Sequence, residues 1–544
     1  MSDLKINKFV DVKVPKRSGF DKSFRNLYTA PVGALVPILC DEVIPNTRVH
    51  LDVALNAQLP PLASDCFMNT DMCLESFFVP SRILYGGFDA WLTGDEIYDT
   101  AAGTYKKAGL PRLSISSANT NLHQCDPGTL ADYLGYKFTS ADTAFLSGKT
   151  GTTQYFNVFP FLAYHRVYND WYLNRQVQRE IFAKPSTSTG GTLYTCPWRI
   201  FNSNINLSLG SEFVDHSELG QLRYRNYGPD RFTCATPKAQ LGDAQSVSFD
   251  TTAQTGSFSI ASLRAANSLQ MWLERNNLAS FRLQDFVRTN YGANLKDGVA
   301  QRAIYLGSGR VNVYTKGIYQ TTNANSGGNT VVPNNPFFTS VGAEFGDASA
   351  NGVVKLVDDF TAQEPGYIVV MASLVPKAVY GTGVLRQNLR YNTSAGTQTD
   401  MANPILQNTG NEPIYTSELN AADAMLQPGQ VFGYQPKFAD WMQRDDEIHG
   451  KLRDGESLDS FAFQRNFTNG QAAINSSFLT ISANCLDQVA AAQGGISGYG
   501  VWVDSYLNYK VSMPLAETSI PSLQDPAYEH GETVTVRRGG TRID

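Results

Sequence analysis

Polar and apolar residues alternate with period two along much of this chain. From Val49 to Leu59 every odd position is apolar and every even one except Ala54 is polar. That spacing predicts a strand with one buried face. Val501, Val503, Leu507, Tyr509 and Val511 repeat the pattern near the far end. Gly366 to Met371 is instead a near-continuous apolar run, which predicts a strand buried on both faces. Phe478-Leu479-Thr480-Ile481-Ser482 predicts a further short strand. Turn-rich segments such as Ser186–Thr192 and Thr321–Pro336 separate these stretches. Strands spaced this widely argue for a sandwich with elaborated loops rather than a compact hairpin barrel.

Three helices interrupt the β pattern. After Pro160, the residues Tyr164, Tyr168, Trp171 and Tyr172 fall on one helical face, predicting a helix to about Ile181. A second starts near Ser262, with Ala266, Leu269, Trp272 and Leu273 on one stripe. A third, Leu283 to Tyr291, stops at Gly292, a natural C-terminal residue. Aromatic stripes of this kind are packing surfaces far more often than cofactor sites. With no internal repeat and no clear linker, the chain reads as a basic arm, residues 1–25, followed by one domain over 26–544.

The chain has 544 residues, enough for a large core, and 42% of them are hydrophobic, which excludes global disorder. Only 17% are charged, below the usual quarter or so. Neutral polar residues, glycine and aromatics fill the gap, a mixture suited to β-structure with polar interfaces. The formal charge is −6 but uneven. Residues 1–25 hold Lys5, Lys8, Lys13, Lys16, Arg17, Lys22 and Arg25 against three acids, a balance of +4, and Arg537, Arg538 and Arg542 make the other end basic. Basic ends on an acidic body suit a surface facing nucleic acid. Simple solvated tails have the same composition, so charge alone leaves both readings open.

Chemistry is sparse. The seven cysteines are odd in number, irregularly spaced and without a Cys-x-x-Cys pair, so they read as buried free thiols rather than disulfides or zinc ligands. The six histidines form no metal-binding pair, and His165 reads as a structural hydrogen-bonding residue. There is no Gly-x-Ser-x-Gly elbow and no phosphate loop. Gly381-Thr382-Gly383 reads as a turn, and Asp445-Asp446-Glu447 as a solvated loop. Met1 to Val14 lacks the apolar block of an export signal. No stretch is long enough to span a bilayer as a helix. The residues require no enzyme, cofactor or metal.

Short motifs carry the sharpest signal. They are Phe20-Asp21-Lys22-Ser23, Glu42-Val43-Ile44-Pro45, Phe77-Phe78-Val79-Pro80-Ser81-Arg82, Phe232-Thr233-Cys234-Ala235-Thr236-Pro237, Gln301-Arg302-Ala303-Ile304-Tyr305-Leu306-Gly307 and Val431-Phe432-Gly433-Tyr434-Gln435. Gly33-Ala34-Leu35-Val36-Pro37, Leu222-Arg223-Tyr224-Arg225 and Gly450-Lys451-Leu452-Arg453 add to them. In this order they resemble the major capsid protein of the microviruses (Microviridae), small icosahedral bacteriophages with single-stranded DNA, and most of all the gokushovirus branch. The likeness runs from about Phe20 to Phe467.

The resemblance implies a mainly β fold, an eight-stranded antiparallel jelly roll with long insertions containing several helices. It implies a structural protein, sixty copies of which form a T = 1 icosahedral shell around circular single-stranded DNA. The chain would be made in the host cytoplasm and reside in the virion. Implied partners are other coat subunits, a DNA pilot protein, an internal scaffolding protein, a small basic DNA-packaging protein and a host cell-surface receptor. The seven bases of residues 1–25 are expected on the inner surface, facing DNA. Tyr434, Phe438, Arg302 and Arg453 are expected at subunit contacts. Gokushovirus coats carry a long spike-building insertion before the second helix, and residues 242–260 leave little room for one. The segments 186–219 and 321–345 are the candidate surface loops. The rival reading is a carbohydrate-binding or carbohydrate-active β-sandwich, and a third is the coat of an RNA or larger DNA virus.

Overall fold

Nine strands form one antiparallel sheet: β1 (Ser18–Asp21), β2 (Phe24–Ala30), β3 (Val36–Val43), β4 (Arg48–Gln58), β5 (Thr70–Pro80), β6 (Ile304–Gln320), β7 (Glu344–Thr361), β8 (Gly366–Pro376) and β9 (Val501–Met513). Their order is β1-β9-β4-β7-β6-β5-β8-β3, and β2 follows β1 along the same edge of β9. The computed structural model describes residues 9–14, 17–64, 66–67, 69–99, 104–107, 109–116, 126–137, 153–180, 185–188, 191–194, 206–208, 219–238, 264–272, 283–299, 301–320, 344–389, 410–467, 472–491, 495–515 and 532–537.

The sheet curls because two strands are long enough to serve two neighbours each. β6 pairs with β5 over Ile304–Val313 and then with β7 over Tyr314–Gln320. β7 pairs with β6 up to Ser349 and with β4 from there to Thr361. Irregularities at Tyr305/Gly307, Thr315/Gly317 and Lys355/Val357 add local twist and bend. The inner faces therefore look at one another. Val49, Leu51, Val53 and Leu55 of β4 share a core with Val503 and Leu507 of β9, Leu74 and Phe78 of β5, and Ile368 and Val370 of β8.

β8 is buried on both faces, as its apolar run predicts. Its other face, Tyr367, Val369 and Met371, joins Phe77 and Val79 of β5 against helix α1 (Phe159–Val167). Asn157 Oδ1 accepts the Phe159 amide at 2.9 Å, and Pro160 occupies the first turn. The helix is shorter than the aromatic stripe predicts. At Tyr168–Tyr172 it loosens into a single π turn. The wider turn sets Trp171 and Tyr172 against Phe77, with ring centres 5.7 and 6.0 Å away. The third predicted helix has the expected bounds, Leu283–Tyr291, with Gly292 at φ 68°. The second is present over residues 264–272.

Phe478–Ser482 is not a strand. Asn475 caps a short helix, Ser476–Leu479, by accepting the Phe478 amide at 2.8 Å. Both Phe478 and Leu479 enter a third core with Phe232, Ile414 and Phe432, so period-two alternation fails there. This core lies under the hairpin Asn411–Tyr415/Val431–Pro436. Residues 18–25, grouped with the basic arm in the sequence, belong to the main sheet, and Phe9–Val14 pairs antiparallel with Glu532–Arg537.

Candidate assembly surface and the motif junctions behind it

The sequence motifs meet in pairs. The Ala34 backbone bridges to Tyr224, with Leu35 N–H on Arg223 O and Arg225 N–H on Gly33 O, both 2.8 Å. Thr236 and Tyr434 exchange backbone hydrogen bonds of 2.9 and 2.8 Å, joining the 232–237 and 431–435 motifs. A Cβ on Gly433 would lie 3.1 Å from Ala235 Cβ, so glycine permits the approach. The motif 77–82 meets 301–307 through strand pairing of Phe78 with Ile304 and through Arg82, which donates to Gln301 Oε1 and to Glu364 Oε2.

The Phe20-Asp21-Lys22-Ser23 motif is a break between two strands on one edge. Ser23 Oγ accepts the Tyr509 amide at 3.1 Å, standing in for a ladder carbonyl, and Asp21 Oδ1 accepts the Ser23 amide at 3.0 Å. The Ser23 hydroxyl and amide hold the Asp21 carboxyl below its ordinary range. Lys22 pairs with Asp41, whose Oδ2 also accepts the Tyr509 hydroxyl at 2.9 Å.

Of the expected DNA-facing bases, Lys5, Lys8 and Lys16 lie outside the described residues. Lys13 stands opposite Thr533 in the terminal ribbon. Arg17 is exposed and donates to Asn46 Oδ1. Arg25 forms a two-pronged ion pair with Asp504, 2.8 and 2.6 Å. The described bases at positions 22 and 25 thus already face a carboxylate of their own chain. The segments 186–219 and 321–345 lie mostly, and 242–260 wholly, outside the described residues.

Of the expected contact residues, Tyr434 and Phe438 are half-buried. Phe438 sits at φ 65°, and its ring centre is 6.3 Å from that of Trp441. Trp441 and Met442 beside it are 55% and 64% exposed. Arg453 is exposed. Arg302 is engaged inside the chain, with Nε 2.8 Å from Asp297 Oδ1 and its guanidinium 3.9 Å from the Trp171 ring centre. Arg166 likewise holds Asp170 at 2.9 Å, whose carboxylate accepts the Ala303 amide. The recurrent arginines at 82, 166 and 302 therefore clamp their own subunit.

Sequence reasoning missed a buried polar network at the 411–436 hairpin. Arg231 pairs with Glu418 and, at 3.2 Å, with Asp445, and it donates to Gln435 Oε1 at 2.7 Å. Arg386 reaches Glu418 at 2.9 Å and Glu412 at 3.4 Å. Gln435 passes its amide to Glu412 at 2.6 Å. The Glu418 side chain is 1% exposed. Burial pushes the Arg231 guanidinium down and the Asp445 carboxyl up. The network joins four segments remote in sequence, and no local spacing announces it. The acidic run 445–447 is more structured than a solvated loop: Asp446 pairs with Lys377 at 2.6 Å, and Glu447 with Arg444 and His449. Gly381 and Gly383 pass so close to Gln464 and to the Glu418 carbonyl that a Cβ would clash at either.

Among the described cysteines, Cys66 and Cys73 are buried, Cys40 and Cys485 half-buried, and Cys234 exposed, the last departing from the expected burial. Burial pushes the Cys40 and Cys485 thiols up to about 12, so both stay protonated. Cys125 and Cys196 lie outside the described residues.

The model of the family described as Capsid protein (F protein) matches residues 10–204 and 204–523. The chain belongs to that capsid protein family. It is 22% identical to Capsid protein VP1 of Chlamydia phage 1 over 95% of this chain and 98% of that protein. It is 21% identical to Capsid protein VP1 of the Bdellovibrio phage phiMH2K, over 85% and 87% of the two chains. Both are microvirus capsid proteins. Membership gives the chain a structural role as a major capsid protein. The paired motifs are internal joints of a capsid subunit.

Proposed function

We propose that sixty copies of this chain assemble into a T = 1 icosahedral shell enclosing circular single-stranded DNA. The family match along residues 10–523 carries this reading. The curled antiparallel sheet is read as the jelly roll of the shell wall, with β6 and β7 turning its corners. The bases of residues 1–25 face the genome, binding phosphate with little sequence preference. The half-buried Tyr434 and Phe438, with the exposed Trp441 and Met442 and with Arg453, meet a neighbouring subunit. Arg302, oriented by Asp297 and Trp171, is a further contact residue. The chain works without catalysis, is made in the host cytoplasm and resides in the virion. Its further partners are the DNA pilot protein, the internal scaffolding protein, a small basic DNA-packaging protein and the host receptor.

Sedimentation and negative-stain imaging of nuclease-treated material from the native source test this. Icosahedral particles of megadalton mass holding protected single-stranded DNA are expected. Monomers free of nucleic acid would overturn the reading, and a glycan array would then examine the carbohydrate-binding alternative.

A further inference from the structure

In sequence between the 232–237 and 301–307 motifs, the described residues 264–272 and 283–299 carry several exposed apolar side chains. Leu269 and Trp272, one helical turn apart, are 43% and 47% exposed, with Met271 beside them at 46%. On the helix Leu283–Tyr291, Phe286 is 37% exposed and Tyr291 76%. An amphipathic helix ordinarily turns such a stripe to its own core. Here polar contacts hold the stretch that leads from the second of these segments into the 301–307 motif. Gln284 Nε2 donates to Asp297 Oδ1 at 3.1 Å, and Arg302 grips the same oxygen while stacking on Trp171.

We propose that the exposed apolar side chains of residues 264–272 and 283–299 are docking surfaces between copies, each seating against a neighbouring copy of the same chain. The inference rests on the capsid reading, since a coat subunit must bury surface against its own kind. Two further observations favour that occupant over DNA. Exposed Trp, Tyr, Phe, Met and Leu match the centre of a protein interface. The described charges also nearly balance, with Arg264, Arg288 and Lys296 against Asp285 and Asp297, where phosphate binding needs a cationic excess.

The test uses the full chain. The double variant W272S/Y291S is expected to keep the wild-type circular dichroism and melting midpoint, while its yield of sedimenting particles falls at least tenfold. W272F/Y291F should restore assembly. Should the serine variant misfold, a photo-crosslinking phenylalanine analogue at position 272 decides, in particles grown from mixed 14N and 15N chains. Cross-linked peptides pairing the two isotopes are expected. Cross-links confined to one chain or leading to DNA, or wild-type particle yield from the folded serine variant, would overturn the proposal. Absence of particles from the wild-type chain would instead overturn the capsid reading on which it stands.

Discussion

His165 sits fully buried in α1, with its Nε2–H donating to the Leu219 carbonyl at 2.8 Å. Burial, with Arg223 nearby, holds the imidazole down to about 3, so it is neutral in the folded chain. Unfolding frees it to take a proton below its ordinary value of 6.5. Its contribution is therefore complete above pH 6.5 and is lost as pH falls from there toward 3, by roughly 3 kcal/mol at pH 4.5. His165→Gln keeps a donor and removes the titration. The gap between guanidinium unfolding free energies at pH 7 and 4.5 should shrink by about that amount, and an unchanged gap would show that the ring titrates normally. Sequence alone reached the structural role of His165 from the lack of a partner at ligand spacing, but its depth depends on the sheet that α1 covers.

Glu418 and Asp445 both touch Arg231, yet burial separates their roles. Glu418 is 1% exposed and shared by Arg231 and Arg386, so Glu418→Gln leaves two buried guanidiniums short of a carboxylate. A loss of about 3–5 kcal/mol is expected in urea unfolding. Asp445 is 25% exposed, and burial has raised its carboxyl. A raised folded value means that stability from this group declines as pH climbs through it. Asp445→Asn should therefore change stability by less than about 1 kcal/mol at pH 7. Equal effects of the two variants would contradict this ordering.

At the scale of elements, the strands with clean periodicity were legible. β4, β8 and β9 follow the expected alternation or continuous run because each faces a large core on one side or both. Phe478–Ser482 misled because five residues are too few for periodicity to outweigh a well-placed cap at Asn475. The π turn at Tyr168–Tyr172 was invisible for another reason: it answers to the shape of Phe77 and Tyr305 opposite. The motifs stood out as a series, whereas their meeting in pairs did not, since contact at a separation of two hundred residues leaves no local trace. Gly307 shows what such a junction demands. A Cβ there would lie 2.2 Å from the Leu356 carbonyl oxygen, in backbone that cannot swing aside. Gly307→Ala is expected to cost about 2–4 kcal/mol, measured as a lower thermal midpoint. A variant as stable as the parent would mean that β6 and β7 can part without penalty.

Across the whole molecule, segments from the first and last parts of the sequence are neighbours. The sequence made both basic without indicating that Phe9–Val14 and Glu532–Arg537 form one ribbon. β9 also lies between the N-terminal strands and β4, and Ser23 Oγ accepts from Tyr509 across 486 positions. Deleting residues 501–544 removes the strand that joins β1 and β2 to the sheet and leaves β4 with an unpaired backbone edge. The shortened chain is expected to be insoluble or to lack a cooperative melting transition. Cooperative unfolding of the deletion product would make β9 an accessory.

That placement of β9 has a consequence for synthesis. A ribosome making this protein releases β1 and β2 hundreds of residues before their partner exists, so the sheet can close only after Met513 has emerged. Prematurely ended chains never present a finished surface, and a shell that admits only finished surfaces is built without truncated copies.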